Sequence, residues 1–313
     1  MPPPDTTFSA PAARYSGEPV LDMEALLEPF MESDSSSAVI PFTRAGNLIL
    51  IKATADTTVG NFILDTGAPH LVLNITYFRQ YPISRSSQAE QTSVTGTSQA
   101  VASTWVKKFT MGPFKYLRSK AHLTNLGHLE NAKGVKILGL LGMELFKRFE
   151  MIIDYENNLL YLQLISKKEA KTFKSAHLSD TAAFHEVPIY FKDNKIVTST
   201  EVAGKKIEFI IDSGAETNLL DSRLPDKILE SVAISRRVML TGTGNKKVEA
   251  LFGSLDNLVI GNRSFGAMDV LITNFEKTCF TYNGCVNGVL GYSFLAERKV
   301  GFNFVTNKMY LFK

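Results

Sequence analysis

Cysteine is nearly missing from this chain, with two residues in 313. That leaves no disulfide framework to hold the fold and no Cys/His pairing for nucleophilic catalysis. Cys279 and Cys285 flank Phe280-Thr281-Tyr282-Asn283-Gly284, where Asn-Gly signals a tight turn. A small-loop disulfide and two free thiols both fit that spacing, and the disulfide would favour an oxidising, secreted or periplasmic setting. An excess of charge of either sign is lacking too, with 34 Lys and Arg against 31 Asp and Glu. A net charge of +3 without a Lys/Arg block gives no basis for binding nucleic acid or an anionic membrane. No apolar run approaches the roughly 18 residues of a membrane span. The opening Met1-Pro2-Pro3-Pro4 has neither the basic region nor the apolar core of a signal peptide. A processed chain would begin in the same way. The five histidines, His70, His122, His128, His177 and His185, show no metal-ligand spacing, and no Gly-x-Ser-x-Gly elbow occurs. No metal or organic cofactor is expected.

What the chain does have is one phrase written twice. Phe62-Ile63-Leu64-Asp65-Thr66-Gly67-Ala68 returns as Phe209-Ile210-Ile211-Asp212-Ser213-Gly214-Ala215, with the aspartates 212 − 65 = 147 positions apart. A single Asp-Thr-Gly is a common turn sequence. Two copies with the same apolar lead-in predict two similar lobes, each delivering one carboxylate to a shared site.

The rest of the chain repeats in the same order. Residues 1–37 are biased toward Pro, Ser, Thr, Asp and Ala and read as a largely irregular extension, with Met23–Phe30 a short helix candidate. Ile40-Pro41-Phe42 is answered by Val187-Pro188-Ile189-Tyr190-Phe191, and Val94-Thr95-Gly96-Thr97 by Met239-Leu240-Thr241-Gly242-Thr243-Gly244. Phe109–Gly112 is answered by Leu258–Gly261, and His122–Leu126 by Leu271–Phe275. Leu140–Phe146 is answered by Val289–Leu295. The hairpin of Met151–Tyr155 and Leu159–Leu162 is answered by Phe302–Phe304 and Met309–Phe312. Matched segments in register argue for internal duplication. The predicted division is 38–165 and 184–313 as two lobes, with the lysine-rich stretch 166–183 as linker. The fold class is all-β, two pseudo-symmetric β-barrel lobes with a few short helices.

An Asp-Thr/Ser-Gly loop, a Gly/Thr-rich turn and a later apolar-apolar-Gly segment resemble one lobe of an aspartic protease. Two lobes in one chain resemble the pepsin-like arrangement. Ala68 and Ala215 after the motif glycines are closer to the retroviral type. The resemblance spans roughly residues 38–313. It implies a monomeric aspartic endopeptidase in which Asp65 and Asp212 form the catalytic dyad. Thr66 and Ser213 would brace the two loops, and Gly67 and Gly214 would approach the opposite loop. Thr95-Gly96-Thr97 and Thr241-Gly242-Thr243 match substrate-binding flaps. Glu216 matches an acid that contacts substrate backbone, whereas Pro69 holds the equivalent place in the first half. The tyrosine usual in a pepsin-like first flap is absent from residues 91–104.

The chemistry wants these residues. Two carboxyls about 3 Å apart cannot both ionise, so one proton is shared. The ionised partner takes a proton from water while the protonated one polarises the scissile carbonyl. The substrate would be an extended peptide or protein segment paired to the flaps by β-augmentation. A non-catalytic peptide-binding module on the same fold is the alternative, since a fold does not fix a function. Alanine at 68 and 215 cannot donate a hydroxyl hydrogen bond to an ionised carboxylate, so a mildly acidic optimum is expected. His70 reads as a surface or packing residue and Trp105 as core. Asn74-Ile75-Thr76 and Asn262-Arg263-Ser264 are matches to the glycosylation sequon.

Overall fold

Long apolar strands that end in the two motifs set the frame of each half. In a computed structural model, which describes residues 28–313 except 33–34, 84–89, 93–97, 101, 176, 242–246 and 276–285, strand Leu48–Ala55 turns at Asp56 and returns as Thr58–Leu64. Leu50 stands opposite Ile63 in this antiparallel pair. The second half repeats the pair with Lys195–Val202 and Lys205–Ile211, where Ile196 stands opposite Ile211.

A three-residue strand then slots in parallel beside the end of each motif strand. Gly139, Leu140 and Leu141 pair with Phe62, Ile63 and Leu64, and Gly288, Val289 and Leu290 pair with Phe209, Ile210 and Ile211. Each short strand is flanked on its other side by the strand leaving the motif loop, Leu71–Asn74 or Asn218–Asp221. The backbones lie so close that the leading glycine has no substitute. A Cβ on Gly139 would meet the Val72 carbonyl oxygen at 2.0 Å, and one on Gly288 would meet the Leu219 carbonyl oxygen at 2.4 Å. Gly139→Ala is expected to cost about 3 kcal/mol of stability, because backbone on both sides has to move. An unchanged urea midpoint would contradict this packing.

The eight-stranded sheet of the first half and the ten-stranded sheet of the second are joined by a six-stranded sheet. That sheet takes Ser37–Pro41, Phe149–Asp154 and Leu159–Leu164 from the first half. Phe184–Pro188, Val300–Asn303 and Lys308–Phe312 come from the second. Met151 faces Phe302 and Ile152 faces Gly301 where the halves meet. One apolar cluster runs through both halves and contains Phe62, Phe109, Phe149, Phe209, Phe294 and Phe302. Each fully buried Phe contributes roughly 2–3 kcal/mol, so the lobes share a core as well as a sheet.

Helix is sparse among the described residues: Gly127–Lys133, Asp226–Leu229 and Tyr292–Leu295 are α-helical. None is long and apolar enough to cross a membrane. Leu140–Phe146 ends in a short 3₁₀ turn, Met143–Phe146.

The structure bears on three readings of the sequence. Of the Met23–Phe30 helix candidate only residues 28–30 are described, and there Phe30 is strand, pairing with Lys115 as Met31 does with Phe114. Pro29, which has no N–H for a helical bond, precedes it. Trp105 is 46% exposed rather than core, on the outer side of strand Ala102–Met111 with the Arg118 guanidinium 6.0 Å from its ring. Asn74 is wholly buried, and its amide donates to the Ile137 carbonyl at 2.9 Å, so it cannot carry a glycan in the folded chain. Asn262 is exposed.

Candidate active site

Each motif loop hangs from its own short parallel strand. The Asp65 N–H donates to the Leu141 carbonyl at 3.1 Å and the Asp212 N–H to the Leu290 carbonyl at 2.9 Å. The loops then cross. The Thr66 hydroxyl donates to the Ile211 carbonyl at 2.9 Å and accepts from the Ser213 N–H at 2.9 Å. The Ser213 hydroxyl donates to the Leu64 carbonyl at 2.8 Å and accepts from the Thr66 N–H at 3.1 Å. Thr66 is 1% exposed and Ser213 0%, so these four bonds are made away from water. A small hydroxyl side chain is required at both places, because each oxygen must give one bond and take another within a single turn.

This crossing brings each glycine against the other half's aspartate. A Cβ on Gly67 would lie 2.4 Å from the Asp212 Cγ, and one on Gly214 would lie 2.7 Å from the Asp65 Cγ. The Gly67 N–H is shared between Asp65 Oδ1 at 3.0 Å and Asp212 Oδ1 at 3.1 Å. The Ala68 N–H donates to Asp65 Oδ1 at 2.9 Å and the Gly214 N–H to Asp212 Oδ1 at 2.8 Å.

The two carboxyls are near neighbours, each acting on the other's ionisation. Both are half-buried, walled by protein yet still open to solvent on part of their surface. Burial pushes Asp65 well above the ordinary carboxylate range. The negative charge of Asp212 pushes it further, against the Ala68 and Gly67 N–H groups. Burial also raises Asp212. The Gly214 N–H, the bond from Asp65, the Lys195 ammonium and the Gly67 N–H hold it back. Both carboxyls are thus pushed upward, which disfavours two negative charges side by side.

Glu216 has other partners. Its carboxylate forms an ion pair with Lys133 and accepts from the Asn47 N–H at 3.4 Å, while the Asn47 amide donates to its carbonyl at 3.1 Å. It ties the second half's motif loop to the first half's turn at Gly46-Asn47. The sequence signals neither Asn47 nor Lys133, because the contact joins positions 169 and 83 residues apart. His70 bonds Glu144 at 2.7 Å and packs edge-on against His122 at 4.7 Å. It braces the outer side of the first motif loop.

Thr95, Gly96 and Thr97 lie outside the described residues, as do Gly242, Thr243, Cys279 and Cys285. The strands leading to both turns are paired, Thr92 with Ser98 and Thr241 with Lys247. Among the described residues no group of three or more His, Cys, Asp or Glu is placed to hold a metal.

No curated protein matches the chain significantly. A family model described as aspartyl protease matches it twice, at residues 51–145 and 198–294. The matches cover more than half of the sequence and begin 147 positions apart, the separation of Thr66 and Ser213. With its repeated all-β halves and their two crossed Asp-Thr/Ser-Gly loops, the chain belongs to the aspartyl protease family.

Proposed function

We propose that the chain is an endopeptidase that hydrolyses peptide bonds with a water activated between Asp65 and Asp212. The observation that carries this reading is the crossing of the two motif loops, which sets each carboxyl against the opposite glycine and against its partner. Asp212, ionised, takes a proton from the water as its oxygen attacks the scissile carbonyl carbon. Asp65 gives its proton to the carbonyl oxygen. The tetrahedral diol then collapses. The C–N bond breaks as the amide nitrogen takes the proton held by Asp212, and a diol hydroxyl returns a proton to Asp65. The pair ends as it began, with no covalent intermediate.

The proposed substrate is an extended peptide lying across the carboxyls. Thr95-Gly96-Thr97 and Thr241-Gly242-Thr243 serve as its flaps, excluding water as they close. Glu216 acts in this reading as a tie between lobes rather than as a grip on substrate.

The test is cleavage of a diverse peptide mixture across about pH 3–8, with products located by mass. Internal cuts with a mildly acidic optimum are expected, because Ala68 and Ala215 offer no hydroxyl to an ionised carboxylate. A peptide whose scissile carbonyl is replaced by a secondary alcohol should inhibit at least a hundredfold below the substrate KM. Maximal activity near pH 2 with stable protein would contradict the alanine argument. A folded chain that cuts nothing would leave peptide binding as its activity.

A further inference from the structure

Around the carboxyls the two halves repeat one another closely, and beside Pro69 against Glu216 they differ sharply at a second position, across the strand pair. In the first half, Leu50 stands opposite Ile63. Two steps further along the same antiparallel register, Leu48 falls opposite Asp65. In the second half Ile196 stands opposite Ile211, and one step further Lys195 falls opposite Asp212. Leu48 and Lys195 are 195 − 48 = 147 positions apart, as are the aspartates, so they are the same position of the repeat. Leu48 is 3% exposed in an apolar cluster with Ala45, Ile63 and Val72. The repeat puts a hydrocarbon beside one aspartate and an ammonium beside the other.

The Lys195 backbone is held firmly. It follows a two-residue turn, Asp193-Asn194, with φ of 51° and 59°, the left-handed pair of a tight hairpin turn. The turn fixes Lys195 opposite Lys192 on strand Tyr190–Lys192. Lys195 is half-buried; burial pulls its ammonium below the ordinary lysine range, against Asp212, then Asp193 of its own turn, then Asp65, which favour the charge. Tyr155, beside Arg44 and Tyr292, also faces Asp212.

We propose that Lys195 is a positioning residue for the carboxyl pair: set across the strand pair from Asp212, its ammonium keeps the charge on Asp212 and the proton on Asp65. The inference rests on the dyad reading above. It gives the chemistry a direction, with the second half supplying the base and the first half the acid.

The experiment compares wild type with Lys195→Leu, which makes the two halves alike, and with Lys195→Arg, which keeps the charge. A cation lowers both ionisations of the pair. Its loss should move both limbs of the kcat/KM–pH profile upward by about one pH unit, whereas Lys195→Arg should keep the wild-type limbs. Titration of carboxyl-13C-labelled Asp212 by NMR, without substrate, should move upward in Lys195→Leu by the same amount. Limbs and titration unmoved in a folded Lys195→Leu variant, or moved equally in Lys195→Arg, would overturn the proposal. If wild type cleaves no peptide, the proteolytic reading fails on its own and the titration still decides the role of Lys195.

Discussion

Asp65→Asn is expected to lower kcat at least a thousandfold and at the same time make the chain more stable at neutral pH. Asparagine is nearly isosteric with the acid and can still accept the Gly67 and Ala68 N–H bonds at 3.0 and 2.9 Å. The loop geometry survives, but the group proposed to protonate the scissile carbonyl is gone, and losses of that size follow removal of such a group. The stability gain comes from linkage. Burial, followed by the charge of Asp212, raises the folded-state pKa of Asp65 above its unfolded value. The folded state therefore binds more protons than the unfolded state between the unperturbed carboxylate pKa near 4 and the raised value. The stability this group contributes is full below that window and is lost as pH rises through it. The asparagine amide does not titrate, so the variant escapes that loss. It should exceed wild type by on the order of 2 kcal/mol at pH 7, with the difference shrinking toward pH 4. Urea unfolding at the two pH values, beside kcat, measures both effects. A variant that keeps full turnover, or that is destabilised at pH 7, would contradict the shared-proton account.

The second large effect is on stability. Thr66→Val keeps the shape of the side chain and removes the hydroxyl that bonds the Ile211 carbonyl and the Ser213 N–H, both at 2.9 Å. Both partners are then left in the buried interface between the halves, with no water to replace the bond. At about 1–3 kcal/mol for each group left unpaired, the expected cost is roughly 3 kcal/mol. Turnover should fall more than tenfold as the carboxyls lose their fixed separation. Thr66→Ser keeps the hydroxyl, and serine already does this work at position 213, so it should stay close to wild type. A Thr66→Val variant within about 0.5 kcal/mol of wild type would place the cohesion of the halves in the bridging sheet alone.

The parts of the site that could be read from sequence are those whose chemistry tolerates few residues. An acid, a small hydroxyl and a glycine are each needed where the motif loops cross, and the duplication displays the requirement twice. The apolar runs that hold Gly139–Leu141 and Gly288–Leu290 were visible in the sequence, but their parallel pairing beside the motif strands was not. The six-stranded sheet between the halves was hidden, because Met151 and Phe302 are far apart in sequence and any apolar strand pair would read the same. The tie of Glu216 to Asn47 and Lys133 was hidden for another reason. Lys133 ends helix Gly127–Lys133, which has no side-chain cap and no buried residue to mark it in the sequence. Trp105 misled because a large aromatic is usually buried, and here Arg118 covers part of its ring instead. The difference between Leu48 and Lys195 was open to view once the spacing of 147 was laid along the strands, not only along the motifs.

The central claim is that Asp65 and Asp212 hold one proton between them, and carboxyl-13C NMR of labelled aspartates measures it most directly. Wild type, Asp65→Asn and Asp212→Asn would be titrated over about pH 3–8, the variants assigning the two signals. One carboxyl is expected to stay protonated well above the ordinary carboxylate range while its partner is ionised. In each single variant the remaining aspartate should titrate lower than Asp65 does in wild type, since a neutral amide replaces a neighbouring charge. Two signals that titrate independently near pH 4, each unaffected by loss of the other, would contradict the account.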